Sequence, residues 1–183
     1  MKSSGRFVIN TRSTEYKVIN MHEYPKDIRQ RPNWDQYFLE LADLVASRST
    51  CLRRHVGAVL VRKERIISTG YNGAPRGLGH CLEMGCLREE MQIPSGHRYE
   101  LCRGVHAEQN AIINAAFYGV STQDSVIYCT NQPCLICARM IINAGIIKVV
   151  HRGNFDDQLA IQFLQEAGIE MVEYPSMIIE RES

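Results

Sequence analysis

No apolar run in this chain approaches the roughly 20 residues that span a bilayer, and the polar stretch 1–10 lacks the core of a signal peptide. Bulk charge of one sign is missing too. Lys and Arg number 21 against 20 Asp and Glu, a formal net charge of +1, so no long-range field draws the chain onto a polyanion or a membrane. Neither internal repeats nor low-complexity segments occur, and 45% hydrophobic with 22% charged residues excludes a disordered or fibrous chain. What remains is the expectation of a cytoplasmic, soluble protein of one compact domain, with no membrane and no polynucleotide partner. Cysteine is the exception to this spareness. Seven are many for a reducing compartment, and an odd count does not close into disulfides, so metal binding is the leading explanation for some of them.

Residues 1–32 are mostly polar, with scattered apolar groups and a break at Pro25, and read as an irregular N-terminal arm. Asn33 is a candidate cap for a helix starting at Trp34, in which Tyr37, Phe38, Leu41, Leu44 and Val45 recur at helical spacing to an end near Ser49. Two strands, 57–62 and 65–70, joined at Lys63 and Glu64, lead into a turn at 71–75. The segment 76–103 carries three cysteines and two histidines with little periodicity and reads as a long loop, a length uncommon unless functional or cross-linked. Helices at 106–118, 133–144 and 156–167 then alternate with strands at 125–130, 147–151 and 170–174. Gly119, Gly145 and Gly168 stand where a left-handed residue ends each helix. The alternation predicts an α/β fold, a three-layer αβα sandwich around a mixed sheet whose later strands run parallel.

Chemistry concentrates in His106-Ala107-Glu108 and in Pro133-Cys134-Leu135-Ile136-Cys137. Imidazole and thiolate are ligands zinc prefers, and three protein ligands leave the fourth tetrahedral position for water. Both segments sit at predicted helix starts, where the helix dipole favours thiolate and anion, and Pro133 suits a first helical turn. On a regular helix Glu108 would point about 200° away from His106. Both approach one metal only if His106 lies at the helix start, which leaves Glu108 beside the metal without ligating it, the place of a proton-shuttling carboxylate. Taken singly, His106 reads equally as a capping histidine, Cys134 and Cys137 as core cysteines and Glu108 as a solvated carboxylate. Taken together they point to catalysis, because structural zinc sites use four protein ligands.

This constellation resembles the cytidine deaminase superfamily, whose zinc signature is H-x-E followed by P-C-x-x-C. The runs Arg31-Pro-Asn-Trp-Asp35, Cys51-Leu-Arg-Arg54, Val56-Gly-Ala-Val59, Gly70-Tyr-Asn-Gly73, Cys102 to Glu108, Asn110-Ala-Ile112 and Pro133 to Cys137 are similar to bacterial deoxycytidylate deaminases, over about residues 31 to 174. The resemblance implies a deaminase domain over 33–176, interrupted by a cysteine-bearing insert at 76–103 and followed by a tail at 177–183. It implies that a zinc-activated water attacks C4 of the cytosine of dCMP, that Glu108 moves the protons, and that dUMP and ammonia leave. It implies further that Asn72, which reads equally as a turn residue suited to a left-handed conformation, contacts the sugar and that the Ala107 backbone lines the base pocket. A homo-oligomer activated by dCTP and inhibited by dTTP completes the family picture.

Residues 48–65 hold six basic side chains against the single acidic Glu64, while 154–183 holds seven acidic against one basic. Arg53 and Arg54 are candidate phosphate ligands, or else a solvated strand-edge charge run. Gly73 and Arg76 are candidates for a regulatory nucleotide. Cys129 reads as an ordinary strand residue. Cys51, Cys81, Cys86 and Cys102 bracket the insert and make a closed set for a second, structural zinc, or else free buried thiols. Some family members use mixed ligands there, so His80 or His97 is an alternative donor. Two rival functions stay open: deamination of another base, such as tRNA adenosine or free cytidine, and a non-catalytic zinc-stabilised binding module. Glu108 and the open fourth zinc position argue against the module.

Overall fold

The computed structural model describes residues 31–94, 96–153 and 157–175. The chain divides into two units between Pro32 and Asn33, and every element belongs to the second. The expected arm, apart from its last two residues, and the 177–183 tail lie outside the described residues. In chain order come α1 (Trp34–Ala46), β1 (Gly57–Arg62), β2 (Arg65–Tyr71), α2 (Cys81–Met84), α3 (Leu87–Glu90), a 3₁₀ turn (Tyr99–Leu101) and α4 (Ala107–Phe117). After them follow β3 (Val126–Asn131), α5 (Leu135–Asn143), β4 (Lys148–Gly153), α6 (Gln158–Glu166) and β5 (Glu170–Glu173). The sheet order is β2-β1-β3-β4-β5. β1 runs antiparallel to β2 and β3, while β3, β4 and β5 are parallel.

Strand β1 is buried on both faces, and its side chains divide between two cores. Val59 and Val61 join Tyr128 and Val150 beneath Phe38, Leu39 and Ala42 of α1. Ala58 and Leu60 join Ile127, Cys129 and Val149 beneath α4, α5 and α6. Period-two alternation in the strands and helical periodicity in the covering layers thus make the three-layer αβα sandwich. Both antiparallel strands admit a helix backbone at unusual proximity. A Cβ on Gly57 would lie 2.0 Å from the Ala42 carbonyl oxygen, and one on Gly70 would lie 2.3 Å from both Ala107 O and Ala111 N. Ala107, Ala111 and Ala115 present the small face that lets α4 come this close.

Local chemistry explains most element ends. The Asn33 side chain accepts from Gln36 N at 2.8 Å and starts α1. Gly119, Gly145 and Gly168 have φ of 68°, 70° and 73°, the left-handed exits expected of them. The β1–β2 hairpin turns on Lys63 and Glu64, both at positive φ, the geometry whose twist matches the flanking strands. Two expectations need correction. The insert is not a structureless loop, because two single-turn helices and the 3₁₀ turn form within it; four-residue helices leave too little sequence for a periodic signal. Pro133 also lies one residue before the Cys134 cap instead of inside the first turn of α5. None of the seven cysteines is in a disulfide. Among the described residues no helix is long and apolar enough to cross a membrane.

Candidate metal centre and cavity

His106 caps α4 in extended conformation, with φ −71° and ψ 159°, and its N–H donates to Gln109 Oε1 at 2.9 Å. Cys134 occupies the same place on α5, with φ −76° and ψ 169°, and Cys137 falls in that helix's first turn. His106 Nδ1 stands 3.4 Å from each sulfur. Tetrahedral zinc at ordinary bond lengths holds nitrogen and sulfur about 3.6 Å apart, so this donor set fits zinc with little movement. Among the described residues no other group of three or more His, Cys, Asp or Glu ligand atoms lies within 4.8 Å of one another.

The extended cap also resolves the Glu108 problem. With His106 outside the regular helix, Glu108 in the first turn lies almost fully buried beside the same three residues. Burial raises its pKa above the ordinary carboxyl value, against the opposing charge of His106 and a hydrogen bond from Cys137. The Cys137 thiol shares its proton with Cys134, which holds Cys134 down at about 4 despite burial and pushes Cys137 upward. Burial would lower His106, but its hydrogen bond with Cys134 and the Glu108 charge outweigh that and raise it. The ligand atoms of His106, Cys134 and Cys137 therefore converge on one point, with the buried Glu108 carboxyl beside them.

A family model described as the cytidine and deoxycytidylate deaminase zinc-binding region matches residues 32–152. The chain belongs to this family. It is 42% identical over 147 residues to the deoxycytidylate deaminase of Schizosaccharomyces pombe, covering 80% of this chain and 45% of that protein. It is 39% identical over 163 residues to the deoxycytidylate deaminase of Saccharomyces cerevisiae, covering 88% and 51%. The chain thus spans about half the length of these two yeast relatives. Among solved structures, the dCMP deaminase of cyanophage S-TIM5 in complex with dCMP and dUMP superposes with a TM-score of 0.67 at 31% identity, covering 80% of this chain and all of that one.

In this deaminase domain the metal centre opens into a cavity lined by Arg53, Arg54, Asn72, Gly73, Ala107 and Glu108, as well as by Cys51, Cys81, Cys86 and Cys102. Asn72 has no positive φ, so it is not in the turn for a left-handed conformation. Its side chain instead ties the approach to β1, accepting from Val56 N and donating to Arg54 O, each at 2.8 Å. Paired hydrogen bonds between Gly73 and Val105 pin that turn to the segment entering α4. Arg53 lines this cavity, and its Nη1 donates to Ile93 O at 3.2 Å, which ties it to the insert. Arg54 is exposed at the rim. Cys81 is raised by burial and then by the charges of Cys51, Cys102 and Cys86, a sign of four thiols gathered together, though looser than the His106 set. His80 is turned to Thr50, with 3.2 Å between Nδ1 and Oγ1. Gly73 and Arg76 do not share a surface: Arg76 lies over the Phe117 ring and lines a separate groove with Ser68, Asn114 and Tyr118.

Four residues here escape a reading of motifs. Asp157 caps α6 through Ala160 N and also accepts from Leu135 N at 2.9 Å, so one carboxylate fixes the start of α5 and with it both cysteines. An Asp before a helix is a readable capping signal, but its second duty spans 22 residues. Tyr99 packs edge-on to His106 at 5.1 Å between ring centroids. Arg88 and Gln132 are buried and line the same cavity. Neither belongs to a recognisable pattern.

Proposed function

We propose that this protein is a zinc-dependent deaminase that converts dCMP to dUMP and ammonia, supplying dUMP for thymidylate synthesis. The observation that carries this reading is the buried Glu108 carboxyl beside the convergent His106, Cys134 and Cys137. Those three residues would hold the zinc, which supplies a water acidified to near-neutral pKa in the open fourth position. Glu108 would take one proton from the attacking water and deliver it to N3 of the cytosine ring, then take the second from the resulting C4 hydroxyl and pass it to the departing amine as the C4–N bond breaks and the C4 carbonyl forms. Its raised pKa suits both directions of transfer. The Ala107 backbone lines the base pocket, Asn72 meets the sugar, and Arg53 and Arg54 serve the 5′-phosphate. The deaminase domain occupies 33–176.

Cys51, Cys81, Cys86 and Cys102 hold a second, structural zinc that cross-links the insert to the segment before β1. The working form is a cytoplasmic homo-oligomer activated by dCTP and inhibited by dTTP, with Arg76 and its separate groove near the effector. Ammonia release from dCMP, dCTP, deoxycytidine, CMP and adenosine, measured side by side, tests the substrate. A strong preference for dCMP is expected. Equal turnover of deoxycytidine would assign the chain to the free-cytidine branch, and turnover of adenosine alone would overturn the reading.

A further inference from the structure

His106 brings one ring nitrogen to the metal centre, with Nδ1 at 3.4 Å from the sulfurs of both Cys134 and Cys137. A metal-ligating imidazole ordinarily donates from its other ring nitrogen to a carboxylate or a backbone carbonyl, which fixes the ring plane. His106 Nε2 makes no such hydrogen bond among the described residues. What the ring meets instead is Tyr99 of the insert, 5.1 Å away between centroids and inclined at 80°, the edge-to-face arrangement that ring quadrupoles favour. Tyr99 is held in turn. Arg98 before it takes the left-handed conformation, φ 52° and ψ 52°, which a residue carrying a Cβ adopts at a cost. Arg98 and Glu100 are exposed and pair with each other, while Tyr99 between them lines the metal cavity. The guanidinium of the buried Arg88 lies 5.1 Å from the Tyr99 ring centre, and its Nη2 donates to Pro94 O at 3.1 Å. Burial pushes the Tyr99 phenol up to about 12, as befits a packed ring. Arg88, Tyr99 and His106 thus form a row from α3 of the insert to the metal centre.

We propose that Tyr99 is a positioning residue for His106, holding the plane of the ligand imidazole by ring packing in place of a second hydrogen bond, with Arg88 behind it. This rests on the zinc reading above and deepens it. Rotation of a histidine ring about its χ2 bond is broad when nothing restrains it. A ring edge fixed against the imidazole confines that rotation before metal arrives, so less freedom is lost on binding and the metal leaves more slowly. Both halves of the donor set are then held from outside. The Asp157 carboxylate fixes the cysteines through Leu135 N at 2.9 Å, and the Tyr99 ring fixes the histidine. The insert takes part in the metal centre without supplying a ligand to it.

The test uses the zinc-loaded full chain as wild type, Tyr99→Phe, which keeps the ring, Tyr99→Leu, which removes it, and Arg88→Met, which removes the cation behind it. Each protein is challenged with EDTA in the presence of iodoacetamide. Mass spectrometry then times alkylation of the peptide that carries Cys134 and Cys137, apart from those of Cys51, Cys81, Cys86 and Cys102. Tyr99→Leu is expected to expose the pair about 10- to 100-fold faster, the usual effect of removing an outer partner of a metal ligand. Tyr99→Phe should stay close to the wild-type rate and Arg88→Met should fall between. Excess zinc should restore much of the dCMP turnover that Tyr99→Leu loses. Equal protection in Tyr99→Leu and wild type, with a raised KM for dCMP, would make Tyr99 a substrate contact and overturn the proposal. Tyr99→Phe as fast as Tyr99→Leu would overturn it too, by assigning the effect to the hydroxyl. Should Tyr99→Leu not fold, Arg88→Met decides: faster exposure than wild type supports the proposal, and an equal rate refutes it. A wild-type pair that alkylates as fast with zinc as without it would instead defeat the zinc reading, and the positioning role with it.

Discussion

Gly70 of β2 and Ala107 of α4 are packed backbone against backbone, so closely that a Cβ on Gly70 would stand 2.3 Å from the Ala107 carbonyl oxygen. That contact sets the height of α4 over the sheet and hence where His106 and Glu108 stand. No rotamer change relieves a clash between a Cβ and a backbone atom, so Gly70→Ala must shift the helix. It should cost about 1–3 kcal/mol or more in stability, roughly 2–10 °C in Tm for a chain of this size. Calorimetry checks the first effect, and a fall in kcat without loss of zinc checks the displacement.

Glu108→Ala should lower kcat for dCMP by about 10²- to 10⁴-fold or more, the range for a lost general acid–base. Zinc content by elemental analysis should not change, because Glu108 ligates nothing. A metal-free Glu108→Ala protein would make Glu108 a ligand. Cys134→Ala, by contrast, should lose the catalytic metal and the activity together.

Zinc-replete protein should hold two zinc ions per chain. Cys102→Ser should remove one of them and loosen the 76–103 insert to limited proteolysis. A ratio of one zinc in the wild type would refute the four-cysteine site and leave the His106 centre untouched.

His151 on β4 is buried, and its Nδ1 has no partner among the described residues. Burial holds its pKa below the ordinary 6.5, although the Gly153 carbonyl and the charge of Glu173 on β5 both act to raise it. The unfolded chain therefore takes up a proton at a pH where the folded protein does not. Its contribution to stability is complete above about 6.5 and lost as the pH falls through that value toward the folded pKa. The urea midpoint of the wild type should drop between about pH 7.5 and pH 6, and His151→Gln should make that drop smaller. Parallel curves for the two proteins would show that His151 does not titrate in this window.

Regulation predicts a sigmoidal dCMP curve that dCTP makes hyperbolic and dTTP shifts to higher substrate concentration. Coupling of this kind is typically worth about 1–3 kcal/mol, or roughly 5- to 150-fold in affinity. Gel filtration of the same protein should give a mass above that of one chain. A hyperbolic curve indifferent to both triphosphates would refute the regulation and spare the chemistry.

The sequence by itself determined the layers, because its signals are local. Asn33, the helical spacing after Trp34, the strand alternation and the glycines at 119, 145 and 168 each act within a few residues, and the elements form where those signals lie. His106, Cys134 and Cys137 were legible for a related reason: short spacings at helix starts carry both the ligand chemistry and the local geometry. Only the tertiary structure decided how far apart those helix starts stand, since that depends on Gly70 admitting α4 and on Asp157 reaching Leu135. It also decided what the basic residues do. Arg53 and Arg88 look alike as letters in a chain, yet one guanidinium lines the cavity and ties down the insert through Ile93 O, and the other is buried with a donor that meets no partner among the described residues. Burial and partnership are properties of distant neighbours brought together, and no spacing along the chain encodes them.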